Sequence, residues 1–238
     1  MKTHILAIGA HPDDVELAAG GTLLRHIALG HSVAIADLTR GELGTRGSAE
    51  LRDAEAAESA RIMGVKYREN LGLKDGFFEQ DEASLLRLIT VIRKYQPEIV
   101  LANSISDRHP DHGRGASFAA RACFLAGLVK IETLWEGIPQ APHRPKAVYH
   151  YIQDRALKPD LVVDISPWFE KKMEAIMAFG SQFYSEGDEG PQTPISSKSF
   201  LEFLESRARD FGRYIHAEYG EGFTVERPAG VDDLLDLR

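Results

Sequence analysis

Two short segments of this chain carry residue types that bind metals and transfer protons. Residues 9–14 have the sequence Gly-Ala-His-Pro-Asp-Asp, and residues 107–112 have the sequence Asp-Arg-His-Pro-Asp-His. Histidines and carboxylates at this density could hold a divalent cation and still leave a carboxylate to act as a base. A single His-Pro-Asp is more typical of a turn, in which proline fixes the backbone and aspartate caps a helix.

Both segments follow short apolar runs that we interpret as buried strands, at residues 5–8 and 99–102. In an open α/β sheet, ligands bind beyond the carboxyl ends of the strands. If the two strands are parallel neighbours, the two segments lie face to face. Helix capping alone does not explain why two such segments would follow neighbouring strands. The pair therefore predicts a functional site that combines histidines and aspartates from two loops.

The elements that must position these segments alternate between strand and helix. Apolar runs and helical spacing predict strands over 5–8, 33–38, 67–71, 99–102, 148–152 and 161–163, and helices over 15–29, 49–63, about 85–92, 115–128, 166–178 and 200–219. Strands separated by helices indicate βαβ units with right-handed crossovers. We therefore expect an α/β fold, a Rossmann-like three-layer sandwich with a mostly parallel central sheet.

We expect a single domain over residues 1–238, because no linker or internal repeat divides the chain. Its motif-bearing part would cover about residues 1–130, and later strands, a substrate loop and helices would cover about 145–225. The loop at residues 185–197 is rich in Gly, Pro, Ser and Thr and is too long for a simple connection. Such loops are often functional.

Composition excludes several classes of protein. The 238 residues are 43% hydrophobic and 27% charged, which is typical of a globular chain and not of a disordered one. The formal charge is −8 and no window is densely basic, so no nucleic-acid partner is expected. No apolar run is long enough to cross a membrane. The single Cys123 lies in an apolar run, which indicates a buried structural thiol and, with no leader segment, a cytoplasmic location.

The two segments carry a family resemblance. Residues 10–14 and 109–112 resemble the two hallmark motifs of the PIG-L/LmbE-like family of zinc-dependent N-acetyl-sugar deacetylases. The C-terminal part is similar to the bacillithiol-biosynthesis branch, which deacetylates N-acetyl-α-D-glucosaminyl L-malate, at residues 181–183, 191–193, 200–202, 207–209 and 219–223. The resemblance implies a cytoplasmic amidohydrolase that acts on a small-molecule sugar and forms a homo-oligomer, with a hexamer among the forms of the family.

The resemblance also implies a metal site. His11, Asp14 and His112 would bind one Zn²⁺ per chain, with Fe²⁺ or Co²⁺ as other suitable ions. The spacing agrees, because side chains three residues apart at the start of a helix can turn toward one point.

The remaining motif residues would carry the proton transfers. By resemblance, Asp13 is the general base, and a protonated His109 stabilises the oxyanion or protonates the leaving amine, with Asp111 in support. Asp13 is adjacent to a ligand and could therefore reach a water on the metal.

Arginines would contact the substrate. The resemblance places Arg52 and Arg108 there, and Arg46 lies on the same sheet edge. Guanidinium groups pair well with carboxylates, so they favour an anionic aglycone such as malate. By resemblance, Pro194 stands where relatives commonly have a tyrosine or another aromatic residue. In part of the family that tyrosine helps to bind the oxyanion, and Tyr184 is a candidate substitute.

Two alternatives stay open from the sequence. The substrate could be another acetamido sugar, either of the chitobiose type or another pseudodisaccharide. The chain could also be a non-catalytic metal-binding protein on the same fold, for which the general base would be unnecessary. A nucleotide-binding enzyme is disfavoured, because the chain has neither the glycine fingerprint nor a Walker A motif.

Overall fold

The computed structural model of the chain describes residues 1–187 and 190–236. In chain order its elements are β1 (Ile5–Gly9), α1 (Asp14–Ala28), β2 (Val33–Thr39), α2 (Ala49–Met63), β3 (Tyr67–Leu73), α3 (Glu82–Tyr95), β4 (Ile99–Ala102), α4 (Pro110–Ala126), β5 (Leu134–Trp135), β6 (Ile138–Pro139), β7 (Ala147–Tyr151), β8 (Leu161–Asp164), α5 (Phe169–Met177), α6 (Lys198–Tyr214) and β9 (Gly220–Val225).

Seven strands form one sheet in the order β3-β2-β1-β4-β7-β9-β8. The pairs from β3 through β7 are parallel, and β9 is antiparallel to both β7 and β8. β1 lies between β2 and β4, with Gly9 beside Asp37 and Ala7 beside Leu101. The loops after β1 and β4 therefore begin at the same edge of the sheet, as the sequence predicts.

Helices cover both faces of the sheet. Side chains of successive strand residues point to opposite faces, and β1 follows this rule. Ile5 and Ala7 pack in one apolar cluster with residues of α1, α2 and α5. Leu6 and Ile8 pack in another cluster with residues of α3 and α4. The predicted three-layer α/β sandwich is confirmed.

The structure corrects two predicted boundaries and adds a strand that was not predicted. α4 begins at Pro110 instead of residue 115, because proline is favoured in the first helical turn and the His109 ring accepts a hydrogen bond from the backbone N–H of Asp111. α6 ends at Tyr214, and the sequence missed β9 altogether. Gly220 and Gly222 resemble turn residues in sequence, but they lie in β9, where other chain segments approach closely. A Cβ atom at Gly220 would lie 2.7 Å from Val162, and one at Gly222 would lie 3.0 Å from the ring of Phe211.

Two other expectations concern burial and membranes. Cys123 is buried, and burial raises the pKa of its thiol to about 12, which agrees with an inert structural thiol. Among the described residues, no helix is both long and apolar enough to cross a bilayer.

A buried ion pair ties the helix that carries Asp14 to the antiparallel part of the sheet. Glu221 of β9 accepts hydrogen bonds from the backbone N–H groups of Gly21 and Thr22 in α1, at 2.9 and 2.7 Å. Lys172 of α5 donates to the same carboxylate at 2.7 Å, and both side chains are buried. Removing one partner of such a pair leaves a buried charge without compensation.

Glu221→Gln is therefore expected to lower the free energy of unfolding by about 3 kcal/mol, because Lys172 loses its counter-ion in the interior. Urea denaturation followed by circular dichroism measures this. Glu58→Gln, which breaks an exposed pair with Arg61, is the matched control and should leave the midpoint unchanged. Equal midpoints for both variants would contradict the anchoring role of Glu221.

Candidate metal centre

A cavity of about 440 Å³ opens at the edge of the sheet where the parallel strands end. Loops that follow β1, β2, β3, β4 and β7 supply polar walls, and the start of α6 with the loop before it supplies an apolar wall. The apolar wall contains Pro194, Ile195, Phe200 and Leu204. In the described part of the chain no tyrosine lines the cavity, so neither position 194 nor Tyr184 supplies a phenol.

The loop between β1 and α1 is held in a strained conformation. Asp13 has φ 121°, which is rare for a residue other than glycine. Thr39 fixes the start of the loop, because its backbone N–H and its hydroxyl both donate to the carbonyl of Ala10. A strained backbone conformation persists only where several surrounding contacts hold it in place, and residues with such conformations cluster at functional sites. Asp13 lines the cavity and is buried.

Both oxygens of the Asp14 carboxylate accept hydrogen bonds. Its Oδ2 accepts from the backbone N–H of His11 and from the side-chain amide of Asn103, both at 2.9 Å. Its Oδ1 accepts from the Gln153 amide at 2.9 Å and lies 3.0 Å from Nε2 of His112. These contacts fix the orientation of the carboxylate at the start of α1.

Each of two histidine rings lies between carboxylates. His112 has Asp14 at Nε2 and Asp107 at Nδ1, the latter at 3.4 Å. His11 has Asp14 at Nδ1, at 3.6 Å, and Asp75 at Nε2, at 3.0 Å. A carboxylate on the far nitrogen of a ring is the usual partner of a metal-binding histidine, because it fixes the tautomer and orients the ring.

The carboxylates raise the pKa of both rings. Burial lowers the pKa of His112, but the charge of Asp14 together with hydrogen bonds to Asp107 and Asp14 outweighs burial and raises the pKa to about 9. Burial also opposes the charged form of His11, but hydrogen bonds to Asp111, Asp14 and Asp75 hold its pKa well above the usual value. The raised pKa values of these imidazoles indicate an excess of negative charge around them, which a divalent cation would neutralise.

The donor set fits a metal ion. Ring nitrogens of His11, His109 and His112 lie within 4.8 Å of one another, and so do ligand atoms of His11, Asp75 and Asp111. Imidazole and carboxylate are ligands that Zn²⁺ and similar divalent ions accept. The buried Nδ1 of His112 makes no hydrogen bond and has only the 3.4 Å approach of Asp107. The residues present therefore suit a cation, and Asp14 is within reach of both flanking rings.

His109 differs from the protonated form that the sequence analysis expected. Its Nδ1 accepts a hydrogen bond from the backbone N–H of Asp111 at 3.3 Å, so the proton of the neutral ring is on Nε2. Burial lowers the pKa of His109, and the nearby rings of His11 and His112 lower it further. The ring therefore acts as a neutral hydrogen-bond donor at the cavity wall.

Asp111 also differs from expectation. Its Oδ2 accepts from the backbone N–H of Gly76 at 2.9 Å and lies 3.5 Å from Nε2 of His11, so the carboxylate supports His11. Only its backbone N–H contacts His109. The start of α4 explains this, because residues at the first helical positions present their N–H groups to the capping side chain.

Arg52 lies beneath Asp13 and is buried. Its Nη2 donates to Oδ2 of Asp13 at 3.0 Å and to the carbonyl of Pro12 at 2.6 Å, and its Nη1 donates to the carbonyl of Gly41 at 3.2 Å. Burial raises the pKa of Asp13 to about 7, and the charge of Arg52 acts in the opposite direction. Arg52 therefore holds Asp13, where the sequence analysis expected it to contact substrate.

The other two predicted arginines are placed differently from each other. Arg108 lines the cavity at its mouth and forms an ion pair with Asp154. Arg46 is half-buried and is not among the residues that line the cavity; its backbone carbonyl accepts a hydrogen bond from the Gln182 amide. The expected contact of Arg46 with substrate therefore stays a prediction, and the lining of this cavity does not include it.

The sequence analysis assigned no function to Asp75, Asn103, Asp107 or Gln153. All four follow the carboxyl ends of parallel strands by a few residues: Asp75 follows β3, Asn103 and Asp107 follow β4, and Gln153 follows β7. A search for polar side chains directly after each predicted strand would have found them.

Comparison with known proteins gives the following matches. The family model of the GlcNAc-PI de-N-acetylases, PIG-L, matches residues 6–123. The diacetylchitobiose deacetylase of Thermococcus kodakarensis is 33% identical over 191 residues, which cover 75% of this chain and 70% of that protein. The 4-oxalmesaconate hydratase of Pseudomonas putida is 28% identical over 189 residues, covering 74% and 73%. The probable N-acetyl-alpha-D-glucosaminyl L-malate deacetylase 2 of Bacillus cereus is 25% identical over 201 residues, covering 76% and 84%.

A solved structure gives a similar result for the fold. The crystal structure of a conserved protein from Thermus thermophilus superimposes with a TM-score of 0.84 at 34% sequence identity. The match covers 98% of each chain, so it includes the antiparallel strands and α6 as well as the motif-bearing part.

Proposed function

Because this chain belongs to the PIG-L family, we propose that it is a metal-dependent hydrolase that removes the acetyl group from a neutral N-acetylglucosaminide of the chitobiose type. One observation carries the assignment to catalysis. Asp13 is a buried carboxylate in the cavity wall, held by Arg52 directly beside the cluster of metal-binding side chains. A site that only bound a metal would have no need of this extra carboxylate.

We assign the metal to His11, Asp14 and His112. Asp14 approaches a nitrogen of each ring, and Asp75 and Asp107 lie at the opposite nitrogens, which supports this set over one that includes His109. Zn²⁺, Fe²⁺ or Co²⁺ would suit these ligands. A bound cation of this kind lowers the pKa of water and polarises a carbonyl group.

Asp13 acts as the general base. Its carboxylate takes a proton from the water that attacks the acetamide carbonyl, and it returns the proton to the nitrogen as the C–N bond breaks. The acetic acid that forms gives up its proton at neutral pH and the amine takes one up, so the products are acetate and the protonated amine, and atoms and charge balance. A carboxyl group whose pKa lies near 7 serves in both directions at neutral pH. Arg52 positions the carboxylate and limits how far burial raises its pKa.

His109 stabilises the charge that develops on the acetamide oxygen. Its Nδ1 is occupied by the N–H of Asp111, so Nε2 carries the proton that it donates. A donor fixed before the reaction stabilises an oxyanion without reorganisation. Since no tyrosine lines the cavity in the described part of the chain, His109 takes this function without the phenol that relatives commonly use.

The charges of the cavity favour an uncharged aglycone. The basic residues that line it within residues 1–187 and 190–236 are Arg52, Arg108 and Arg207. Arg52 is paired with Asp13, Arg108 is paired with Asp154, and Arg207 donates to the carbonyls of Gln153 and Leu17. A dicarboxylate such as malate would have to compete with these partners for the guanidinium groups. Sugar hydroxyls can instead accept and donate hydrogen bonds without displacing an ion pair.

The malate glycoside, favoured by the sequence analysis, and the hydration of an unsaturated acid are the competing functions. The first is supported by the similarity to the Bacillus cereus protein, and the second by the similarity to the Pseudomonas putida hydratase. Both substrates are polyanions, so the same pairing of the cavity arginines disfavours both.

Amine release from N,N′-diacetylchitobiose and from N-acetyl-α-D-glucosaminyl L-malate by the zinc-loaded protein tests the proposal. We expect kcat/KM for the disaccharide to exceed that for the malate glycoside by about tenfold or more, since binding malate would cost an existing charge-assisted hydrogen bond. Absorbance at the chromophore of 4-oxalmesaconate monitors hydration in parallel.

Each outcome separates one alternative. Preference for the malate glycoside would support the deacetylase function and contradict the proposal that the aglycone is uncharged. Hydration without amine release would overturn the deacetylase. Metal binding without turnover of any of the three compounds would favour the non-catalytic alternative.

A further inference from the structure

We propose that Asp154 determines substrate specificity by neutralising Arg108 at the mouth of the cavity, so that the site accepts uncharged aglycones and rejects carboxylates. This inference rests on the proposed deacetylase function and extends it to a residue that the catalytic chemistry does not use. It also explains how a chain with an arginine directly before its second motif can still favour a neutral sugar.

The two side chains meet where substrate must enter. Nε of Arg108 donates to Oδ2 of Asp154, and both residues line the cavity. The side chains are 49% and 32% exposed, so the pair faces solvent as well as the cavity. Arg108 lies in the loop after β4 and Asp154 in the loop after β7, so the pair joins two walls.

Asp107 fixes the backbone on both sides of the pair. Its Oδ1 accepts from the N–H of Arg108 at 2.5 Å, and its Oδ2 accepts from the N–H of Asp154 at 2.8 Å. The same carboxylate lies 3.4 Å from Nδ1 of His112. The position of the ion pair is therefore tied to the metal-binding ring, although the side chains themselves are partly exposed.

The segment of Asp154 has a second support. Arg207 of α6 donates to the carbonyl of Gln153, the residue before Asp154, and also to the carbonyl of Leu17 in α1. Gln153 itself donates to Asp14. The backbone next to Asp154 is therefore held by residues that position the site. The carboxylate of Asp154 can still pair either with Arg108 or with the substrate.

The pairing removes the advantage that a carboxylate would have. An exposed ion pair is weak in itself, but a substrate carboxylate that binds Arg108 either replaces Asp154 at Nε or binds the other guanidinium N–H groups with the charge of Asp154 close by. In both cases Asp154 offsets much of the attraction between Arg108 and the carboxylate. A hydroxyl group can accept from Arg108 and donate to Asp154 at the same time, so a sugar uses both members of the pair.

Asp154→Asn tests this, because it removes the charge and keeps the size and the backbone N–H that Asp107 holds. The readout is the ratio of kcat/KM for the malate glycoside to kcat/KM for diacetylchitobiose. We expect the ratio to rise about tenfold, because Arg108 becomes available for a charge-assisted bond to malate. Asp154→Ala should shift the ratio in the same direction. This second variant shows that the shift does not come from the amide group that asparagine introduces.

Two controls isolate the pair. In the background of Arg108→Ala, Asp154→Asn should leave the ratio unchanged, because no guanidinium is released. Glu98→Gln removes one negative charge from an exposed pair with Lys146 that precedes β4, at the opposite edge of the sheet, and should also leave the ratio unchanged. A rise of equal size in Glu98→Gln would attribute the effect to net charge and overturn the proposal.

Binding of L-malate to the zinc-loaded protein, measured by calorimetry, keeps the test independent of turnover. We expect Asp154→Asn to bind malate about tenfold more tightly than the unmodified chain, and the increment to vanish with Arg108→Ala. An unchanged ratio together with unchanged malate affinity would overturn the specificity role while leaving the deacetylase intact. Absence of amine release from both sugars, with tighter malate binding by Asp154→Asn, would instead overturn the proposed function and leave the ion pair as inferred.

Discussion

Replacing Asp13 with asparagine is expected to lower kcat for acetamide hydrolysis about 10³-fold, in the range found when a general base is lost. The amide cannot take a proton from water at neutral pH. It can still accept the hydrogen bond that Arg52 donates at 3.0 Å, and asparagine tolerates positive φ better than most residues, which matters at φ 121°. The variant should therefore fold normally and keep its metal.

Metal content by plasma mass spectrometry and amine release on the same sample check this expectation. Asp81→Asn is the matched control, because it makes the same chemical change at the N-cap of α3, where asparagine serves as well as aspartate. Asp81→Asn should retain full activity. If Asp13→Asn retained its metal and more than about a tenth of the activity, Asp13 would not be the base.

The motif residues could be located from the sequence because their placement is local. His11, Asp13 and Asp14 follow β1 within five residues, and β1 is an uninterrupted apolar run that ends in Gly9. The second motif follows β4 in the same way, and β4 pairs directly with β1. Two local predictions and one rule of sheet topology therefore brought the motifs together.

The residues that orient the motifs could not be found in this way. Asn103 and Gln153 are 50 positions apart, yet their side chains bond to each other and to Asp14. Asparagine and glutamine after a strand are equally typical of turns. Only the pairing of β4 with β7, which no local pattern encodes, makes them part of the site.

The contact of Arg52 with Asp13 could not be predicted from the sequence for a related physical reason. It lies in an alanine- and glutamate-rich helix whose sequence indicates an exposed surface, but its guanidinium is buried against Asp13. Gly41 makes this possible, since it has φ 65° and a Cβ atom there would lie 1.8 Å from Nη1 of Arg52. A glycine that leaves room for a side chain 11 residues away cannot be distinguished in sequence from a glycine in an ordinary turn.

His112→Ala is expected to abolish metal binding and to lower the activity more than about 10³-fold, because the cation and its effect on the pKa of water are lost together. The loss of metal binding should also remove the stabilisation that the metal gives to the folded chain. The metal-free site buries the carboxylates of Asp13, Asp14, Asp75 and Asp111 in one small region. A cation that relieves their repulsion stabilises the folded chain by mass action.

At a zinc concentration about 1,000 times Kd, this linkage contributes about 4 kcal/mol. For a chain of this size that corresponds to a rise in Tm of about 10 °C when zinc is added to the chelated protein. In His112→Ala the rise should fall below about 2 °C, since one ligand is missing and the affinity drops accordingly. Scanning calorimetry with and without chelator gives both numbers and does not depend on knowing the substrate.

His109→Ala decides between the two histidine sets that the geometry allows. If the ligands are His11, Asp14 and His112, this variant keeps its metal and its zinc-dependent rise in Tm while kcat falls, because only the donor to the acetamide oxygen is lost. If His109 belongs to the ligand set with His11 and His112, as their mutual distances within 4.8 Å permit, the metal is lost as in His112→Ala. The Asp14 carboxylate, which already accepts hydrogen bonds from His11, Asn103 and Gln153, is oriented for the first arrangement.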